Sequence, residues 1–67
     1  MHLIVNGERI EVSNGPLTVE GLVALRGFQG TACAVEVNKA LVPRRERDSR
    51  ELREGDIVEI VTLVGGG

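Results

Sequence analysis

The sequence predicts an α+β domain in which one amphipathic helix packs across a mixed sheet of four to five strands. Three observations lead there. Residues 2–12 form two strand-like runs on either side of an Asn-Gly pair, residues 18–26 switch to helical spacing, and Val-rich segments return after residue 32, separated by Gly, Pro and charged residues. The order is then strand, strand, helix, strand, short strand, strand. A right-handed crossover through the helix sets a later strand parallel to the first and lays the helix on one face of the sheet. Other α+β orders share this pattern.

In "HLIVNGERIEV" the two runs flank Asn6-Gly7, the strongest short-range hairpin signal. Leu3 and Val5 face one way, Ile10 and Val12 join them across the hairpin, and Arg9 and Glu11 point out. Ser13, Asn14, Gly15 and Pro16 form a breaker cluster. Thr18 then suits the N-cap of a helix whose apolar positions are Val19, Leu22, Val23 and Leu25. Glu20 in the first turn and Arg26 in the last complement the helix dipole, and Gly27 suits the stop. Gly21 costs about 1 kcal/mol against Ala and is expected where the helix lies close to the sheet.

"TACAVEVN" returns to alternation, with Cys33, Val35 and Val37 on one face and Ala34, Glu36 and Asn38 on the other. "KALVPRRE" supplies a short fourth strand that Pro43 confines to an edge. Arg44 to Asp56 is dense in charges of both signs, so it is expected to be a solvated connection with Leu52 as its apolar anchor. A Gly55-Asp56 turn launches the last strand. There Val58, Ile60, Thr62 and Val64 alternate with Ile57, Glu59, Val61 and Leu63, so one face fills the core and the other still carries apolar residues. Val61 and Leu63, with Ile4 from the neighbouring strand, are expected to form an exposed docking patch.

At 67 residues the chain is one domain near the lower size limit for a self-sufficient core, with no room for a catalytic cleft between layers. Residues 1–64 are read as the domain and 65–67 as a flexible glycine tail. Phe28 is the sole aromatic, so the core is aliphatic. Ten acidic residues against eight basic ones leave no electrostatic case for nucleic acid or an anionic membrane. The aromatic platform of single-strand binders is missing too. A lone cysteine, Cys33, suits a reducing cytosol and is expected to be a small buried thiol. The opening "MHLIVNGERIEV" is neither signal peptide nor membrane span, so a soluble cytoplasmic protein is expected. His2 has no companion ligands at metal-binding spacing, and Asn6-Gly7 is a turn rather than a phosphate loop. Nothing in the chain forms a catalytic constellation, so it is not expected to be an enzyme.

The ending "EIVTLVGGG" is the unusual feature: a strand runs into three residues that add nothing to a core. One helix across a four- or five-stranded sheet is the ubiquitin-like β-grasp arrangement. With "VNGE" in the hairpin, the "LTVEGLVAL" helix, "AVEVNKALVPR" and the ending "GDIVEIVTLVGGG", the whole chain resembles the ThiS-type sulfur carriers of thiamine biosynthesis. The resemblance implies a protein that is itself a substrate. Its terminal carboxylate, on Gly67, is adenylated with ATP by a ThiF-type partner and converted to a thiocarboxylate with sulfur from cysteine through a cysteine desulfurase. The sulfur then passes to a ThiG-type thiazole synthase. Gly65 and Gly66 thread the partner's channel, and the carrier itself binds no cofactor. Two alternatives stand beside it: the small subunit of molybdopterin synthase, which shares the chemistry, and a β-grasp binding module that is no carrier.

Overall fold

In the computed structural model, which describes residues 1–13 and 15–63, Asn6 and Gly7 turn the chain with φ of 50° and 81°. Two successive positive φ values match the twist of a tight hairpin, and Asn-Gly tolerates them best. The turn joins β1 (His2–Val5) to β2 (Glu8–Glu11). There follow α1 (Val19–Leu25), β3 (Cys33–Val37), β4 (Ala40–Leu41), a 3₁₀ turn over Arg44–Glu46, and β5 (Ile57–Thr62). The five strands lie in the order β2-β1-β5-β3-β4. Only the β1–β5 pair is parallel; the other pairs are antiparallel. This is the ubiquitin-like β-grasp arrangement, with β5 in the middle of the sheet and the short β4 at an edge, ending before Pro43.

The core is aliphatic. Val19, Leu22 and Val23 of α1 pack on Leu3, Val5, Val35, Val37, Val58 and Ile60 of the sheet, with Cys33, Val42 and Leu52 closing the cluster. Ile10, Val12 and Phe28 pack against it while partly exposed. At the start of α1, Thr18 Oγ1 accepts from Gly21 N at 3.0 Å. The Val19 and Glu20 N–H groups donate to the Arg50 and Arg47 carbonyls at 2.9 and 3.0 Å. The 44–56 segment therefore caps donors that a helix start leaves orphaned. At the other end Phe28 N donates to Val23 O at 2.9 Å and Gly27 N to Ala24 O at 3.0 Å. With Gly27 at φ 85°, this is a Schellman stop.

Several expectations need correction. Leu25 is 61% exposed rather than in the core. At 100° per residue it falls roughly 110° from the centre of the stripe that Val19, Leu22 and Val23 define. Arg26 is the C-cap rather than a last-turn residue. It makes an ion pair with Glu8 at 3.0 Å. Gly21 does not face the sheet: a Cβ there would meet Leu17 Cδ1 at 3.0 Å and Thr18 Oγ1 at 3.4 Å, both in the capping loop. Thr62 is exposed although it shares the parity of Val58 and Ile60. The charged segment is not wholly solvated either, because Arg47 is buried, its guanidinium donating to the Cys33 carbonyl at 2.5 Å. Finally, β3 and β4 join through Asn38-Lys39 at φ 52° and 71°, a tight turn with no glycine to announce it. Asn14 and Val64 to Gly67 lie outside the described residues.

Candidate docking face and the root of the glycine tail

Strand β5 sits between β1 and β3, and both of its faces carry apolar residues. Val58 and Ile60 point into the core; Ile57 and Val61 point the other way and are 52% and 57% exposed. Leu63, one step past the strand, is 56% exposed. The face opposite α1 is completed by neighbours in register: Ile4 beside Ile57, Ala34 beside Val61 and Glu36 beside Glu59, and Leu41 beside Glu36. Leu41 is 64% exposed.

The predicted docking residues therefore all lie away from the core. Val61 and Leu63 are adjacent on one face at the tail end of β5. Ile4, half-buried, pairs with Ile57 at the strand's beginning, about 13 Å from Val61 at the strand rise per residue. Sequence reasoning passed over Ile57 and Leu41, which bridge and widen the patch. The alternation of β5 signals Ile57; Leu41 sits in a strand too short for any period to show.

β5 is held firmly where it approaches the tail. β1 ends at Val5, but Asn6 continues its ladder: its backbone N donates to Val58 O at 2.9 Å. Its side-chain amide donates to Ile60 O at 3.2 Å, and its Oδ1 accepts from Ile60 N at 2.7 Å. On the other edge Leu63 N donates to Ala32 O at 2.9 Å, one step beyond the Cys33–Thr62 pair. The strand thus delivers Leu63 at a fixed point. Gly65, Gly66 and Gly67, the expected channel residues and reacting end, lie outside the described residues.

Elsewhere several titratable groups are tied into the fold. His2 Nδ1 pairs with the Glu54 carboxylate. The His2 backbone N–H donates to Glu54 Oε1 at 2.9 Å, and that bond first, then the nearby positive charge, holds the Glu54 carboxyl below its ordinary 4.5. Cys33 is buried, and Arg47 Nη1 approaches its Sγ at 3.7 Å. A polar cleft lined by Asn38, Arg50, Arg53 and Asp56 lies at the beginning of β5, the end away from Leu63. Asp56 is already engaged there by Asn38 Nδ2 at 3.0 Å and Arg53 N at 2.8 Å. Among the described residues there is no group of three or more potential metal ligands. No helix among them is long and apolar enough to cross a membrane.

Comparison with known proteins places this geometry in context. The model of the ThiS family matches residues 3–67. The crystal structure of a thiamine biosynthesis protein (ThiS) from Geobacter metallireducens superposes with a TM-score of 0.83 at 35% identity, covering all of both chains. The sulfur carrier protein ThiS of Bacillus subtilis is 31% identical over 65 residues, 97% of this chain and 98% of that one. A thiazole synthase of Paramagnetospirillum magneticum is 37% identical over 67 residues, the whole of this chain but 20% of that protein.

Proposed function

The chain belongs to the ThiS family, and from that premise we propose that it carries sulfur for thiamine biosynthesis on the carboxyl group of Gly67. The observation that carries this reading is that the family match runs through the glycine run to residue 67. A terminal carboxyl has a pKa of about 3.3–3.7 and is ionised at neutral pH, which makes it a poor electrophile. A ThiF-type partner joins it to the α-phosphate of ATP and releases pyrophosphate. The acyl adenylate then has AMP as leaving group. The outer sulfur of a persulfide, loaded from cysteine by a desulfurase, attacks the acyl carbon and displaces AMP. A second thiol then cleaves the S–S bond of the acyl disulfide, releasing the thiocarboxylate while the two thiols are left joined as a disulfide. The carrier contributes no catalytic group and binds no ATP; it is the substrate, and its place is the cytoplasm where these partners work.

The residues fit that role. Gly67 offers an acyl carbon with no side chain beside it, and glycine at 65 and 66 permits backbone angles that other residues avoid. Three extended residues reach roughly 10 Å. Ordering each of them in a channel opposes binding by about 1–2 kcal/mol. The apolar face of Ile57, Val61, Leu63 and Ile4 supplies the docking energy that offsets this loss. Thiazole synthase is the acceptor of the sulfur, a step supported by the relative of that name that contains a segment like this chain. That same relative favours thiamine over the molybdopterin pathway.

Exchange of labelled pyrophosphate into ATP by the adenylating partner tests this directly. The full chain is expected to support exchange, and a chain ending at Gly65 to support none while melting like the full one. Equal exchange with the shortened chain would contradict the reading.

A further inference from the structure

Glu36 and Glu59 stand directly opposite each other on β3 and β5, on the exposed face of the sheet. Like charges in that position repel, and a sheet normally avoids them. Among the described residues neither makes an ion pair. Apolar residues adjoin both: Leu41 lies beside Glu36, and Ile57 and Val61 flank Glu59 along the same face of β5. The two carboxylates therefore sit in the middle of the surface assigned to docking. A partner that covered Leu41, Ile57 and Val61 without meeting them would strip water from two uncompensated anions, at a prohibitive cost.

We infer that this face receives an arginine of the adenylating enzyme, its guanidinium seated across Glu36 and Glu59 while apolar side chains of that enzyme cover Leu41, Ile57 and Val61. The inference rests on the carrier reading above. Opposed residues place their Cβ atoms about 5 Å apart, a span that one planar guanidinium bridges with a nitrogen for each carboxylate. Arginine is also more weakly hydrated than lysine, so it enters an apolar surround at lower cost. Among the proposed partners the adenylating enzyme fits best by charge. It must hold both the ATP polyphosphate and the carboxylate of the tail, so positive potential gathers at the mouth of its channel. Val61 and Leu63 lead from the acid pair towards the tail, so docking and reaction share one line. The repulsion carried by the free domain is then relieved on binding, and it contributes to the choice of partner.

The test compares the full chain with a Glu36→Gln/Glu59→Gln variant for binding to the purified adenylating enzyme and to thiazole synthase, at two salt concentrations, with thermal melts of both proteins. The variant is expected to melt higher than the wild type, to bind the adenylating enzyme about tenfold more weakly, and to lose most of the salt dependence. Wild-type affinity in a folded variant would overturn the arginine contact and leave the carrier reading standing. A loss confined to thiazole synthase would overturn the occupant named here. If the wild-type chain neither binds the adenylating enzyme nor is adenylated by it, the carrier reading and this inference fall together.

Discussion

Arg47 keeps a guanidinium inside an otherwise aliphatic core. It is 6% exposed, and its Nη2 donates to the carbonyl of Cys33, which pairs with Thr62 at the end of β5. One side chain therefore ties the 44–56 segment, which caps α1, to the strand that carries the tail. Arg47→Ala removes that donor and the packing of its stem, and should lower stability by about 2 kcal/mol in urea unfolding. An unchanged midpoint would show that the contact contributes nothing. Glu54 makes a second residue-scale prediction. Its carboxyl titrates below 4.5 when folded because the His2 N–H holds the ionised form. A lowered folded pKa means stability that is present above 4.5 and fades as pH falls through the folded value. The melting temperature should drop less steeply in that window for Glu54→Gln than for wild type, and parallel profiles would contradict the linkage. Arg47 was illegible in the sequence because its partner lies 14 residues away and it stands in a run of alternating charges that reads as solvent-facing. Cys33, by contrast, showed its burial through the parity it shares with Val35 and Val37.

Among the elements, β5 links the fold to the proposed function. It is central, bonded to β1 and β3, and extended by Asn6 on one side and by the Leu63–Ala32 bond on the other. In the proposed carrier, such a strand would link docking on its outer face to a fixed position of Leu63. Leu63→Asp places a charge on that face outside the core. It should leave the melt close to wild type and weaken binding to the adenylating partner by about tenfold or more. Native affinity in a folded variant would remove Leu63 from the docking surface. Elements with a strong local signal were legible: Asn6-Gly7 fixes the hairpin, Thr18 caps α1, and alternation marks β3 and β5. The Asn38-Lys39 turn was not, since neither residue announces two positive φ values and the pairing of Val37 with Ala40 imposes them. Leu25 was misplaced because seven helical residues give too short a stripe to fix its centre.

For the molecule as a whole, a small domain with a modest acidic excess presents one apolar face and ends in glycine. Its fold was readable because strand and helix periods, turns and caps agree on one topology. The outer face was readable only in part, since which strands neighbour β5 decides that Ile57, Leu41 and the Glu36–Glu59 pair share a surface. The proposed function unites these features: a domain that positions its own end for another protein's chemistry. The intact mass of the untagged chain after incubation with the adenylating partner, ATP, cysteine and a cysteine desulfurase, followed by fragmentation, tests this most directly. Fragmentation is needed because replacing oxygen by sulfur at Gly67 adds nearly the same mass as oxidation of Met1 or Cys33. An ATP-dependent gain localised to Gly67 is expected. A competent set of partners that leaves Gly67 unmodified would contradict it.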